Sequence, residues 1–320
     1  MEIKKIAVVG SGSMGSAIAE IFAFNGFEVL LKDQNIDLVN SGIKRIKKIL
    51  QGQLLFQEGR SSKEIARIET LGVVLSEEQK EAIRTKLKSH LTERKVEEIM
   101  GRIKPVVDYS QFENVDYVVE AVFENMDVKK AVMKDLSDHC RENAIISTNT
   151  SSLSITKISS FISNPERSIV THFFNPPYTL PLVEIVPGMR TADATVREMM
   201  EFYSKLKNHR GFMKPIKVKE VPGFLVNRIL VPVLNEAAIM LDEGVAEAGD
   251  IDTAMKLGAG FPMGPLELAD MVGIDVTFDV IRILYEEYAD QKYRPSLLLK
   301  RMVDSNKLGI KNGEGFYSYH

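Results

Sequence analysis

Close to the N-terminus an apolar run, Ile6–Val9, stops at a glycine loop, Gly10-Ser11-Gly12-Ser13-Met14-Gly15. Ala17–Ala23 follow with helical spacing, Gly26 ends them, and a second apolar run, Glu28–Leu31, leads into Lys32-Asp33. A G-x-G-x-x-G pattern alone is a weak signal, because glycine loops are common. Here it leaves a strand, opens a helix, and is answered by an acid that closes the next strand 18 residues after Gly15. Together these conditions constrain the chain to a right-handed βαβ unit that cradles a dinucleotide. Gly10 permits the tight turn, Gly12 lets the backbone approach a pyrophosphate, and Gly15 lets the helix pack close to the strand. Ser13 and Met14 sit where the helix begins, and its unpaired N–H groups and dipole favour phosphate. Asp33 would accept hydrogen bonds from ribose hydroxyls and repel a 2′-phosphate, which predicts NAD rather than NADP. Lys32 would weaken that choice if it turned inward.

The chain then departs from simple alternation. Residues 36–104 are polar, charged and helix-favouring, with Ile43, Ile46, Ile49 and Leu50 on one apolar face. The spacing predicts an excursion of two or three helices. From Asn40 to Pro105 there are 15 Lys/Arg against 9 Asp/Glu, so this segment is +6 in a chain that is −3. Such a stretch is either a solvated helical face or a surface that meets an anionic ligand. Strand signals return at Tyr117–Val119, Ala144–Ser147, Ser168–His172, Leu182–Val186 and Ile216–Val218. Helices about Val128–Cys140 and Ala194–Leu206 lie among them. Val221-Pro222-Gly223 breaks the pattern, and beyond it the chain reads as helical to its end. A chain of 320 residues suggests about two domains. The expected class is α/β: a Rossmann-type doubly wound sheet with a helical excursion over residues 1–219, then an all-α domain over 220–320.

The small net charge gives no reason to expect a nucleic-acid or membrane partner. No stretch approaches the ~20 apolar residues of a membrane span, and the expected location is cytoplasmic. The single cysteine, Cys140, allows no intrachain disulfide and carries no catalytic signature.

Two segments carry candidate chemistry. Asn149-Thr150-Ser151-Ser152-Leu153 directly follows an apolar strand, and in a doubly wound sheet that end of the strand faces the ligand crevice. Small hydroxyl residues there can bond a substrate oxygen, although such a cluster is ordinarily just a turn. His172 ends the next strand, in Thr171-His172-Phe173-Phe174-Asn175-Pro176-Pro177. Oxidising an alcohol requires a base for the hydroxyl proton, and imidazole titrates near neutral pH. Glu184 stands inside the apolar run Leu182–Val186, where a carboxylate is costly unless paired. A pair with His172 would satisfy it, fix the imidazole tautomer and raise its basicity. The other histidines are weaker candidates: His90 and His139 lie in polar helical stretches, His209 in a polar connector, and His320 is the last residue. No His, Cys and carboxylate grouping shows metal spacing, so metal-free catalysis is expected.

At these residues the sequence resembles the L-3-hydroxyacyl-CoA dehydrogenases, 3-hydroxybutyryl-CoA dehydrogenases included, over nearly its whole length. The matching stretches are Gly10–Gly15, Glu120–Lys129, Asn149–Ile155, His172–Pro176, Leu182–Val186, Pro222–Arg228, Asp252–Leu268 and Gly313–Tyr317. The resemblance implies that His172 is the catalytic base, Glu184 its paired acid, and Ser151 and Asn227 contacts to the substrate. It also implies NAD contacts at Glu124, Lys129, Asn149, Ser151, Asn175 and Lys311, an acyl-CoA substrate in the cleft between domains, and a homodimer through the helical domain. From its spacing alone, Lys129 reads as an exposed helix lysine. Two features depart from the family pattern. The excursion is longer by roughly one helical hairpin, so the CoA contacts expected there have no secure alignment; Ser61, Ser62 and Lys63 are the candidates. Asn175-Pro176-Pro177-Tyr178…Pro181 resembles instead the lambda-crystallin, gulonate dehydrogenase and carnitine dehydrogenase branch, whose substrates are hydroxy acids without CoA. The reading preferred is NAD-dependent oxidation of an (S)-3-hydroxyacyl-CoA to the 3-oxoacyl-CoA. The alternatives are a CoA-free hydroxy-acid dehydrogenase and a non-catalytic dinucleotide-binding protein.

Overall fold

A computed structural model describes residues 2–319. The chain forms two compact units: Met1–Thr150 with Ile155–Lys217, and Ser151–Ser154 with Val218–His320. In chain order the first contains β1 (Lys5–Val9), α1 (Ser13–Phe24), β2 (Glu28–Lys32), α2 (Ile36–Glu69), α3 (Glu77–Lys86), α4 (Glu93–Met100) and β3 (Ile103–Val106). It continues through β4 (Tyr117–Glu120), α5 (Met126–His139), β5 (Ile145–Thr148), α6 (Ile155–Ser159), β6 (Ser168–Phe173) and β7 (Leu182–Pro187). It closes with α7 (Asp193–Lys205), β8 (Lys207–Asn208), β9 (Gly211–Phe212) and β10 (Lys214–Lys217).

Among the described residues this unit is built on an eight-stranded sheet in the order β10-β7-β6-β5-β4-β1-β2-β3. β1 pairs in parallel with both β2 and β4, so the chain turns from one side of β1 to the other. β4, β5 and β6 continue in parallel, and β7 then runs antiparallel to β6. The central strands are continuous Val, Ile and Leu runs because helices cover both faces and no side of the pleat meets water. Phe22, Tyr117 and Tyr203 are completely buried between sheet and helices. Each contributes roughly 1.5–3 kcal/mol of apolar transfer.

The excursion is three helices, α2 to α4. Only one stripe of α2 is buried, at Val39, Gly42, Ile46, Leu50, Leu54 and Ile65, and α3 buries nothing. The expectation of helix up to residue 104 fails at its end, because the chain re-enters the sheet at Ile103. Lys104 and Pro105 hide the strand signal, yet both are tolerated because β3 is an edge strand with exposed central positions. The connector after α7 also differs from expectation: β8 and β9 form a short hairpin.

The second unit packs α8 (Val226–Asp242), α9 (Ala248–Ala259), α10 (Pro265–Val272), α11 (Ile274–Tyr288) and α12 (Leu297–Asp304). Its core includes Ala237, Ala238, Leu266, Ile274 and Leu299. The final stretch is not helical, contrary to the sequence reading. It folds back through antiparallel bridges, Gly309 with Glu314 and Glu314 with Ser318. Asp270 fixes it by accepting from the backbone N–H groups of Phe316 and Tyr317, each at 2.9 Å. No helix among the described residues is long and apolar enough to cross a membrane.

Candidate active site

The parallel registers bring the C-terminal ends of β1, β2, β4, β5 and β6 to one edge of the sheet. Gly10, Asp33, Glu120, Asn149 and His172 all lie on or just beyond that edge. The point where the topology reverses, between β1 and β4, is where open α/β sheets take their ligands.

The glycine loop fits a dinucleotide. Gly10 has φ +101°, and a Cβ there would lie 2.5 Å from the carbonyl oxygen of Ala121. A Cβ on Gly15 would overlap the carbonyl of Gly10, which is how closely α1 approaches β1. Around Gly12 there is nothing within 4 Å of such a carbon, so the backbone is open to a phosphate. Asp33 Oδ2 accepts from Ser11 N and Ser11 Oγ, both at 2.7 Å, and Oδ1 accepts from Gln34 N at 2.8 Å. Burial alone would raise its pKa, but these hydrogen bonds outweigh burial and hold the carboxyl below its usual range. One acceptor position remains on Oδ1 for a ribose hydroxyl. Lys32 does not turn toward it: Nζ sits over the ring of Tyr109, 4.4 Å from its centroid.

Gly42 was not singled out from the sequence. Its missing side chain lets α2 lie on the loop, since a Cβ would come within 2.8 Å of Ser11 Cβ. One turn on, Arg45 donates to the Ser11 carbonyl at 3.0 Å. The only hint in the sequence was a glycine inside a helical pattern.

His172 and Glu184 face each other across the antiparallel β6–β7 ladder, in direct register. His172 Nδ1 lies 2.7 Å from Glu184 Oε2; the carboxylate is wholly buried and the histidine nearly so. Asn149 ties the neighbouring strand end to this one, its Oδ1 accepting from Phe173 N at 2.9 Å.

The expectation that Lys129 is an exposed helix lysine is wrong. It is 1% exposed, with Nζ 2.8 Å and 3.0 Å from the two Glu120 oxygens and 3.4 Å from Glu124 Oε2. Glu120 ends a fully buried strand and requires a countercharge, which the first turn of α5 supplies. Glu120 also accepts from Thr148 Oγ1 at 2.6 Å and Val122 N at 2.7 Å, so the carboxylate is amply satisfied. Spacing could not reveal this, because the partners meet only through the β4–α5 turn.

A cavity of about 460 Å³ opens in the first unit beside the glycine loop. Ser13 and Ala17 of α1, Arg45, Lys48, Ile49 and Gln53 of α2, and Asn175, Tyr178 and Thr179 after β6 line it, with His209. Ser61, Ser62 and Lys63 lie further along α2 and are not among its lining residues. In the second unit, Ser151 is half-buried, Asn227 is the second residue of α8, and Lys311 is ion-paired with Asp275. Burial pushes the Cys140 thiol up to about 12, which disfavours the thiolate.

A sequence model of the family described as "3-hydroxyacyl-CoA dehydrogenase, NAD binding domain" matches residues 5–73 and 68–221, and the corresponding C-terminal domain matches 223–319. The 3-hydroxybutyryl-CoA dehydrogenase of Clostridioides difficile is 37% identical over 316 residues, covering 99% of both chains. The human mitochondrial hydroxyacyl-coenzyme A dehydrogenase is 36% identical over 99% of this chain and 91% of its own. The crystal structure of (S)-3-hydroxybutyryl-CoA dehydrogenase from Ralstonia eutropha superposes with a TM-score of 0.80 at 37% identity, covering both chains entirely. The N-terminal unit is thus an NAD-binding domain, and the chain belongs to the 3-hydroxyacyl-CoA dehydrogenase family.

Proposed function

We propose that this chain oxidises the 3-hydroxyl of an (S)-3-hydroxyacyl-CoA to the 3-oxoacyl-CoA, with short substrates of the 3-hydroxybutyryl type as the first to test. The observation that carries the proposal is the buried His172–Glu184 pair at the ligand edge of an NAD-binding sheet. With Nδ1 engaged by Glu184, Nε2 is the nitrogen that takes the hydroxyl proton. Glu184 holds the ring in one orientation and stabilises the imidazolium once the proton has moved. Bound NAD supplies the hydride acceptor. The residues that would hold it are Gly10, Gly12, Ser13, Met14, Gly15 and Asp33. Glu124, Lys129, Asn149, Asn175, Ser151 and Lys311 join them by family resemblance, as Ser151 and Asn227 do for the substrate oxygen.

Arg45 and Lys48 support CoA over a small hydroxy acid as the substrate's handle. They place two positive charges on a cavity beside the loop, and CoA brings phosphates. A small acid needs no such surface. Docking there would displace Ser61, Ser62 and Lys63 from the role of CoA contacts. A homodimer through the helical domain and a cytoplasmic location belong to the same reading.

The test is NADH oxidation with acetoacetyl-CoA, set against acetoacetate. Turnover of the thioester alone supports the proposal. Turnover of the free acid alone would replace it with the CoA-free alternative, and turnover of neither would remove the proposal.

A further inference from the structure

The β8–β9 hairpin is fastened to two elements at once. On one side it meets α1. Glu20 is fully buried on that helix with Oε1 2.8 Å from His209 Nε2, while Oε2 has no hydrogen-bond partner among the described residues. Asn25, which caps α1, brackets Lys207: its Oδ1 accepts from Lys207 N at 2.8 Å and its Nδ2 donates to Lys207 O at 2.7 Å. The Phe24 ring lies 5.4 Å from the imidazole. On the other side the hairpin meets the loop that leaves β6. His209 N donates to Tyr178 O at 3.0 Å, Asn208 Nδ2 donates to Pro177 O at 3.2 Å, and the Tyr178 ring lies 5.6 Å from the imidazole.

Stability alone gives no reason for Glu20. Its neighbours on the helix, Ala19, Ile21, Phe22 and Ala23, are buried and apolar, and an apolar residue in its place would typically be as stable or more so. A buried carboxylate with one oxygen unpaired carries a desolvation penalty. What it does achieve is to fix the position and orientation of one imidazole.

We propose that Glu20 and His209 are positioning residues for the substrate. The pair locks the hairpin to α1, and the hairpin in turn holds Asn175, Tyr178 and Thr179 as the wall of the cavity that Arg45 and Lys48 also line. The inference rests on the reading that this cavity receives part of the acyl-CoA. The held loop begins two residues beyond His172 and carries three wall residues of the cavity but only one, Asn175, assigned to NAD, so loosening it degrades the fit of the thioester more than that of the dinucleotide.

The experiment compares wild type, Glu20→Gln, and the double variant Glu20→Leu with His209→Leu. The double variant removes both hydrogen-bonding partners together and so leaves no buried polar group stranded by loss of its mate. Its KM for acetoacetyl-CoA should rise about tenfold, and its KM for NADH by a clearly smaller factor, through Asn175 alone. Hydrogen exchange at the Thr179 and Leu180 amides, both of which donate to Pro176 O, should speed up about tenfold. Glu20→Gln, which still offers the imidazole a polar partner, should recover most of both effects. Unchanged KM and exchange in a folded double variant overturn the proposal. So does a fall in kcat with both KM values unchanged, which would mark a merely structural pair. If the leucine pair does not fold, Glu20→Gln with His209→Gln carries the same readouts. If wild type does not turn over acetoacetyl-CoA, the substrate reading falls by itself, and the exchange rates still decide whether the pair holds the loop.

Discussion

Among the described residues the sheet unit holds two buried histidine–glutamate pairs with nearly the same separation, and they engage different ring nitrogens. His172 uses Nδ1, at 2.7 Å, toward a carboxylate on the adjacent strand; His209 uses Nε2, at 2.8 Å, toward a carboxylate on a helix. The choice of nitrogen matters. In the proposed mechanism, engaging Nδ1 assigns the hydroxyl proton to Nε2, the atom farthest from the backbone. Engaging Nε2 commits that far atom to anchoring, so the ring becomes a strut. On the proposed reading, burial and an acid partner do not by themselves make a base; the ring nitrogen engaged and the position relative to the strand ends distinguish the two pairs.

The largest effect expected from breaking this comparison is on turnover. His172→Gln should lower kcat by at least about 10²-fold while NAD titration shows nearly unchanged binding, because a general base contributes 10²–10⁴-fold. Wild-type-like turnover in that variant would make the two pairs equivalent. Next comes stability: His209→Leu alone leaves the buried Glu20 without its hydrogen-bond partner and should cost about 1–3 kcal/mol in a denaturant titration, with Glu20→Gln in the same chain restoring most of it. A loss below about 0.5 kcal/mol would show that Glu20 does not need its partner. Smaller is the contrast between the acids. Glu184→Gln should reduce turnover by less than His172→Gln, because the base remains, while Glu20→Gln should leave turnover closer to wild type than Glu184→Gln does. The smallest effect sharpens the boundary of the site. Asp33→Ser should raise NADP use relative to NAD by removing the charge that repels a 2′-phosphate, and the KM for acetoacetyl-CoA should be unmoved in it. With the Asp33 pKa held low, the carboxylate stays ionised well into acid, so the preference for NAD in wild type should persist from pH 8 to pH 5.

What could be read from the sequence follows from how local each signal is. The glycine loop, its strand and Asp33 lie within one short stretch, and the spacing alone was enough. Glu184 was legible because a carboxylate in a Leu-Val-Ile run demands an explanation. Glu20 on α1 is not legible in the same way, since helices tolerate a glutamate on the solvent side and periodicity alone does not mark its face as buried. Lys129 was misread for a similar reason: its countercharge sits nine residues back, across a turn. β3 was lost because an edge strand is released from the apolar pattern that identifies a central one. His209 was set aside because the connector around it is polar, although its backbone and ring are held by residues more than thirty positions away.

Gly42 turns α2 into a lever. The helix runs 34 residues, and the stretch from Gly42 to Glu69 reaches about 40 Å. Its fulcrum is the spot where bare backbone rests on Ser11, the residue that also grips Asp33. Tilting the helix by a single degree about that spot moves the far end by roughly 0.7 Å for an arm of this length. A methyl group at position 42 would therefore be felt in two places: at the phosphate loop, where the atoms collide, and at the distant tip, where the displacement is amplified.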